Sequence, residues 1–62
     1  MSRKDYEAIA AVLARQADAQ ARHQTSALER LHYVALDLCD VFERDNPRFD
    51  PARFMRATKT AR

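Results

Sequence analysis

A histidine and a cysteine in the second half of the chain are the first candidates for chemistry. His32 and Cys39 are seven residues apart, which places both on one face of a helix. Two such pairs in a symmetric dimer would supply the two Cys and two His ligands that zinc binds tetrahedrally. No CxxC or HxxxH pair supports this reading, and a small thiol beside Leu38 and Phe42 is more often a packing residue. We therefore expect no metal and no cofactor.

A second pair, His23 and Ser26, has the residue types of a general base and a nucleophile. Ser26 also begins the sequence Ser26-Ala27-Leu28-Glu29. In this pattern serine and glutamate satisfy each other's free backbone amides at the start of a helix. No third group to orient the histidine and no oxyanion donor can be identified. The sequence predicts no catalytic residues and no enzyme activity.

Basic residues near the C-terminus are candidates for contact with phosphate. The formal charge is +1 over residues 1–25, −3 over 26–46 and +4 over 48–62. Lysine and arginine contacts to phosphate give salt-dependent, sequence-independent binding to DNA. The possible contacts are Arg53, Arg56, Lys59 and Arg62. They are few, and no helix-turn-helix pattern accompanies them, so we rank nucleic-acid binding below protein binding.

The elements that position these residues are predicted to be helices. The 62 residues include no glycine, and no proline precedes Pro47, which excludes phosphate-cradling glycine loops and disfavours β-sandwiches and barrels. Twelve of the 29 hydrophobic residues are alanine, so the core is thin. Cores of chains below roughly 70 residues seldom supply more than ~3–5 kcal/mol. We expect an all-α fold that oligomerises.

The first helix is predicted over residues 3–22. Ser2 followed by Asp5 is typical of a helix start. Tyr6, Ile9 and Leu13 recur at steps of three and four, which predicts one apolar face.

The second helix is predicted over residues 27–45, with Ser26 as its N-cap. Its apolar residues recur at steps of three and four, the spacing of a seam that packs along another helix. This seam, through which we expect the chain to contact itself or a partner, consists of Leu28, Leu31, Ala35, Leu38 and Phe42. The seam is wider than one neighbouring helix can cover, because it is extended by Val34, Leu36 and Val41. The width predicts a homodimer or a higher oligomer.

Two arrangements of these helices are open. The seam, continued backwards, falls one residue out of step with Tyr6, Ile9 and Leu13, and this slip favours an antiparallel helical hairpin. The absence of a glycine that would end the first helix keeps one long helix in a coiled coil as the alternative.

A C-terminal block follows the second helix and contains Asn46, Pro47, Arg48, Phe49, Arg53 and Phe54. Asn46 and Pro47 end the second helix. Asp50 as N-cap with Pro51 next predicts a short third helix over residues 51–57. Phe49 and Phe54 are expected to fold back on the hairpin, and residues 58–62 to fray.

The Arg3-Lys4-Asp5-Tyr6 opening and the Asp45-Asn46-Pro47-Arg48-Phe49-Asp50 stretch, closed by Arg53-Phe54, resemble a group of short, uncharacterised proteins encoded by tailed bacteriophages, notably those of actinobacteria. The likeness covers the two ends of the chain only. It implies a phage-encoded accessory protein made in the host cytoplasm, and it implies no catalytic residues.

The compartment is expected to be the cytoplasm. A single cysteine without a secretory leader is typical of reducing conditions, and no apolar run approaches the ~18 residues that span a membrane. We expect a protein that binds a host or phage protein. Weak DNA binding through the basic C-terminal segment is the alternative.

Overall fold

The computed structural model describes residues 1–22 and 25–61, except for the side chain of Thr25. Over this part, the chain forms three helices and no strand. They are α1 (Arg3–Ala21), α2 (Thr25–Asp45) and α3 (Pro51–Thr58). The predicted all-α fold of two long helices and a short C-terminal one is confirmed.

Helices α1 and α2 form an antiparallel hairpin. The Tyr6 hydroxyl lies 3.1 Å from the Asp45 carboxylate, although 39 residues separate the two in sequence. In one continuous helix they would lie about 59 Å apart, at ~1.5 Å per residue. The alternative of a single long helix is therefore wrong.

The start of α1 agrees with the sequence pattern. The Asp5 carboxylate accepts hydrogen bonds from the Ser2 backbone amide at 2.7 Å and from the Ser2 hydroxyl at 3.1 Å. Because these bonds favour the ionised acid, with the backbone amide contributing most, they lower the pKa of Asp5.

The start of α2 differs from the prediction. The helix begins at Thr25, so Ser26 lies inside its first turn and is not the N-cap. Helix propensity, which is high from Ala27 onward, extends the helix across residues whose side chains also suit a cap. His23 and Gln24 lie outside the described residues, and so does the suggested pairing of His23 with Ser26.

The core is built around four aromatic rings. Their centroids are 4.7 to 5.6 Å apart, in tilted or edge-to-face contacts, the arrangement that aromatic rings prefer. The rings are those of Tyr6, Phe42, Phe49 and Phe54. Phe49 and Phe54 therefore fold back on the hairpin as predicted.

Three alanines lie on the buried faces of α1 and α2. Ala10, Ala17 and Ala35 are at most 1% exposed. A larger side chain at any of these positions would push the helices apart.

The end of the chain corrects the expectation that residues 58–62 fray. Thr58 is the last residue of α3, and Lys59 ends the helix in the left-handed conformation with φ 55°. Thr58 and Thr60 are 0% and 3% exposed. Both threonines are held by hydrogen bonds, which composition alone does not reveal. Arg62 lies outside the described residues.

Candidate functional site

The two residues considered for zinc have other roles. The His32 ring nitrogen Nδ1 lies 2.9 Å from the Thr60 hydroxyl. Cys39 is a buried core residue, and burial, with smaller contributions from Glu43 and Asp40, raises the pKa of its thiol. Among the residues that the structure describes, no three His, Cys, Asp or Glu side chains are grouped as metal ligands would be.

The turn between α2 and α3 is fixed by its own hydrogen bonds. The Asn46 side-chain oxygen accepts from the Arg48 amide at 3.0 Å, and the Asn46 carbonyl accepts from the Phe49 amide at 2.9 Å. Asp50 then caps α3, because its carboxylate accepts from the Arg53 amide at 3.1 Å. These bonds direct the Phe49 ring into the core and leave Arg48 exposed.

This turn and α3 form one wall of a cleft, and the first half of α1 forms the other. The cleft has a volume of about 500 Å³, within the size range of ligand-binding sites. The rings of Tyr6, Phe49 and Phe54 lie at its floor, beside Ala10 and Ala57. We call it the aromatic cleft.

The rim of the aromatic cleft carries three arginines and two acids: Arg3, Arg48, Arg53, Glu7 and Asp50. Arg3 pairs with Glu7 at 3.5 Å, and Asp50 is engaged as the helix cap. Among the described residues, neither Arg48 nor Arg53 has an ion-pair partner. The rim therefore has two guanidinium groups without an ion pair to any described residue, and such groups bind carboxylates and phosphates.

A polar network joins the N-terminus and the start of α1 to the last residue of α2 beside this cleft. Asp45 Oδ2 lies 3.0 Å from the N-terminal ammonium of Met1 and 3.1 Å from the Tyr6 hydroxyl. These hydrogen bonds, that of the ammonium first, hold the pKa of Asp45 below its ordinary 3.8. Burial, followed by the bond to Asp45, raises the pKa of Tyr6 above 10.0.

The C-terminal block is brought together in the cleft, except that Pro47 does not line it. Sequence reasoning missed the contribution of Arg3, Tyr6 and Ala57 to the same site. The signal is present in part, since the opening Arg3-Lys4-Asp5-Tyr6 and the C-terminal block are both distinctive parts of the sequence. Nothing in the spacing along the chain indicated that they are neighbours.

The predicted seam on α2 is largely internal. Leu28, Ala35 and Phe42 are buried within the chain, and Leu31 and Leu38 are partly buried. Because α1 and the aromatic residues cover the centre of the seam, these five residues do not form a free surface. The exposed apolar residues of α2 lie elsewhere: Tyr33, Val34, Leu36 and Val41.

Three of the four suggested phosphate contacts, Arg53, Arg56 and Lys59, are exposed along α3 and its end, while Arg62 lies outside the described residues. None of the helices in the described part is long and apolar enough to cross a membrane. Comparison with protein-family models, curated proteins and solved structures finds no match of any of the three kinds.

Proposed function

We propose that the protein acts without catalysis, by binding an acidic segment of another protein in the aromatic cleft. The observation that carries the proposal is the pair Arg48 and Arg53, which have no ion-pair partner among the described residues and stand over an aromatic floor. A peptide with an apolar side chain next to aspartate or glutamate matches this chemistry. The apolar group would cover the rings, and the carboxylates would pair with the arginines.

The resemblance to phage proteins directs the choice of partner. We propose that the chain is a phage-encoded accessory protein in the host cytoplasm, and that its partner is a host or phage protein.

The experiment compares two double variants in binding to the partner. Arg48→Ala with Arg53→Ala removes the free guanidinium groups. Arg15→Ala with Arg22→Ala is the matched control, since it removes the same charge from exposed positions of α1 and its end. We expect the first variant to lose at least about tenfold in affinity, equivalent to ~1.4 kcal/mol, and the control to bind normally. Equal losses in both variants would show that net charge, and not the cleft, drives binding.

A defined probe keeps this test independent of finding the partner. A labelled peptide with one leucine flanked by aspartates should bind in fluorescence anisotropy, and its counterpart with lysines should not. Binding of both peptides, or of neither, would count against an acidic ligand.

A second candidate is weak DNA binding, which is supported by the exposure of Arg53, Arg56 and Lys59 at one end of the molecule. Each phosphate contact contributes ~0.9 to the slope of log affinity against log salt. If the segment binds DNA, Arg53→Ala with Arg56→Ala should reduce that slope by nearly two. We expect no DNA binding at physiological salt, and a gel shift that persists there would favour this candidate.

A further inference from the structure

The face of the hairpin opposite α3 carries an apolar stripe that the described part of the chain covers only in part. Its central residues are Val34 and Val41, which are 50% and 56% exposed. With the partly buried Leu31 and Leu38, they recur at steps of three, four and three. This is the spacing of a helix seam that packs against a second helix. We call these four residues the open stripe.

The position of the open stripe follows from helical phase. On α2, His32 contacts Thr60 beyond α3, and the buried Ala35 faces α1. At ~100° per residue, Val34 and Val41 lie on the opposite side of Ala35 from His32.

On α1, Glu7 lines the cleft beside α3. The same counting places Val12, 47% exposed, on the side away from α3.

We propose that two copies of the chain pack through their open stripes, with the two α2 helices antiparallel about a two-fold axis near Val34. The result is a four-helix bundle in which each α3 lies outside. Val34 would then contact Val34 of the second copy, and Leu31 would lie opposite Leu38. A two-fold axis makes each contact occur twice, so one self-complementary stripe is sufficient.

Charge complementarity selects this register. Arg30 and Asp37 are exposed beside the stripe, and neither forms an ion pair with another described residue. In the antiparallel arrangement about Val34, Arg30 of one copy lies opposite Asp37 of the other, and the pair occurs twice. A shift of the axis by one turn, to Asp37 or to Arg30, would place like charges opposite each other and lose both pairs.

The outline of the broad face bounds the area that a dimer can bury. The molecule extends 36 by 18 by 13 Å, so this face measures at most about 650 Å² in each copy, or ~1,300 Å² for the two. A dimer that buries nearly the whole face would reach the ~1,200 Å² at which specific interfaces begin.

Sedimentation equilibrium tests the dimer. The wild-type chain should sediment at twice its 7.2 kDa at micromolar concentration. Val34→Glu with Val41→Glu should give a folded monomer by circular dichroism. Leu36→Glu is the matched control, because Leu36 is 42% exposed on the same helix but outside the stripe, and it should remain dimeric. A wild-type monomer at millimolar concentration would overturn the proposal, as would dissociation by the control.

A charge exchange tests the register. Arg30→Asp alone should raise the dissociation constant about tenfold or more, because two carboxylates then face each other at both symmetric positions. Arg30→Asp with Asp37→Arg should restore wild-type affinity, since the pairs re-form with reversed polarity. Failure of the double variant to recover would contradict the antiparallel register about Val34.

Discussion

His32 and Thr60 are 28 residues apart in sequence and are joined by a hydrogen bond of 2.9 Å whose direction is fixed by its neighbours. Thr58 donates its only hydroxyl proton to the Met55 carbonyl at 2.7 Å. The bond between Thr58 and Thr60, 3.0 Å long, must therefore use the Thr60 proton. Thr60 has none left for the ring, so His32 Nδ1 carries a proton and donates it.

This series of hydrogen bonds holds the C-terminal segment against α2. Thr60→Val removes a buried hydroxyl that both donates and accepts, and leaves the His32 donor without its partner. We expect a loss of ~1–3 kcal/mol in the free energy of unfolding, measured by urea denaturation. Ala61→Ser, at an exposed neighbouring position, should change it by less than ~0.5 kcal/mol. If Thr60→Val leaves the free energy of unfolding unchanged, these hydrogen bonds do not hold the segment against α2.

The alanines on the buried faces of α1 and α2 are sensitive to size. Ala17→Leu adds three carbons where the side chain is 0% exposed, and we expect it to destabilise by ~1–3 kcal/mol. Ala19→Leu makes the same change at an exposed position of the same helix and should be nearly neutral. Thermal unfolding of the two variants distinguishes these outcomes, and equal effects would contradict the packing.

The third helix depends on its aromatic anchor. Phe54 is 4% exposed and contacts the rings of Phe42 and Phe49. Phe54→Ala should therefore cost ~3–5 kcal/mol, whereas Arg56→Ala, at an exposed position of α3, should cost little. A loss below ~1 kcal/mol for Phe54→Ala would show that the ring belongs to a surface and not to the core.

The contacts of Asp45 make stability depend on pH at both extremes. Because the folded state lowers the pKa of Asp45 below 3.8, the carboxylate contributes to the free energy of unfolding above that pH. This contribution is lost as pH falls below 3.8. The raised pKa of Tyr6 adds a contribution to the free energy of unfolding that is present below pH 10.0. This contribution is lost as pH rises through the higher pKa that Tyr6 has in the folded state. Asp45→Asn should remove the Asp45 part of the acid limb and leave the part due to Asp5. It should reduce the alkaline limb only in part, because burial, the first cause of the raised pKa of Tyr6, remains. An unchanged profile would contradict the network.

The helices were predictable from the sequence because their signals are local. Asp50 and Pro51 identified the start of α3, and the steps between Tyr6, Ile9 and Leu13 identified the buried face of α1. The prediction that Ser26 is the N-cap of α2 is wrong, because a serine that suits a cap also fits inside the first turn of a helix. The capping pattern therefore predicts the start of α2 at residue 27, whereas the helix begins two positions earlier, at Thr25.

The candidate site was predictable only in part, because it depends on contacts between distant segments. The C-terminal block marked one wall of the aromatic cleft, but Arg3 and Tyr6 reach the cleft only through the pairing of α1 with α3. The burial of Thr58 and Thr60 follows from a bond to His32 that no pattern along the chain encodes. The seam on α2 was recognised, yet which side of it stays free depends on where α3 packs.

Photo-cross-linking from inside the aromatic cleft tests the proposed function most directly. A photoreactive amino acid replaces Ala57, an exposed residue that lines the cleft, and in a second variant replaces the exposed Ala19 of α1. In host cells, the account predicts a cross-link from position 57 to a segment of another protein rich in aspartate or glutamate, and none from position 19. A cross-link from position 57 only to DNA or to the chain itself, or equal labelling from both positions, would contradict it.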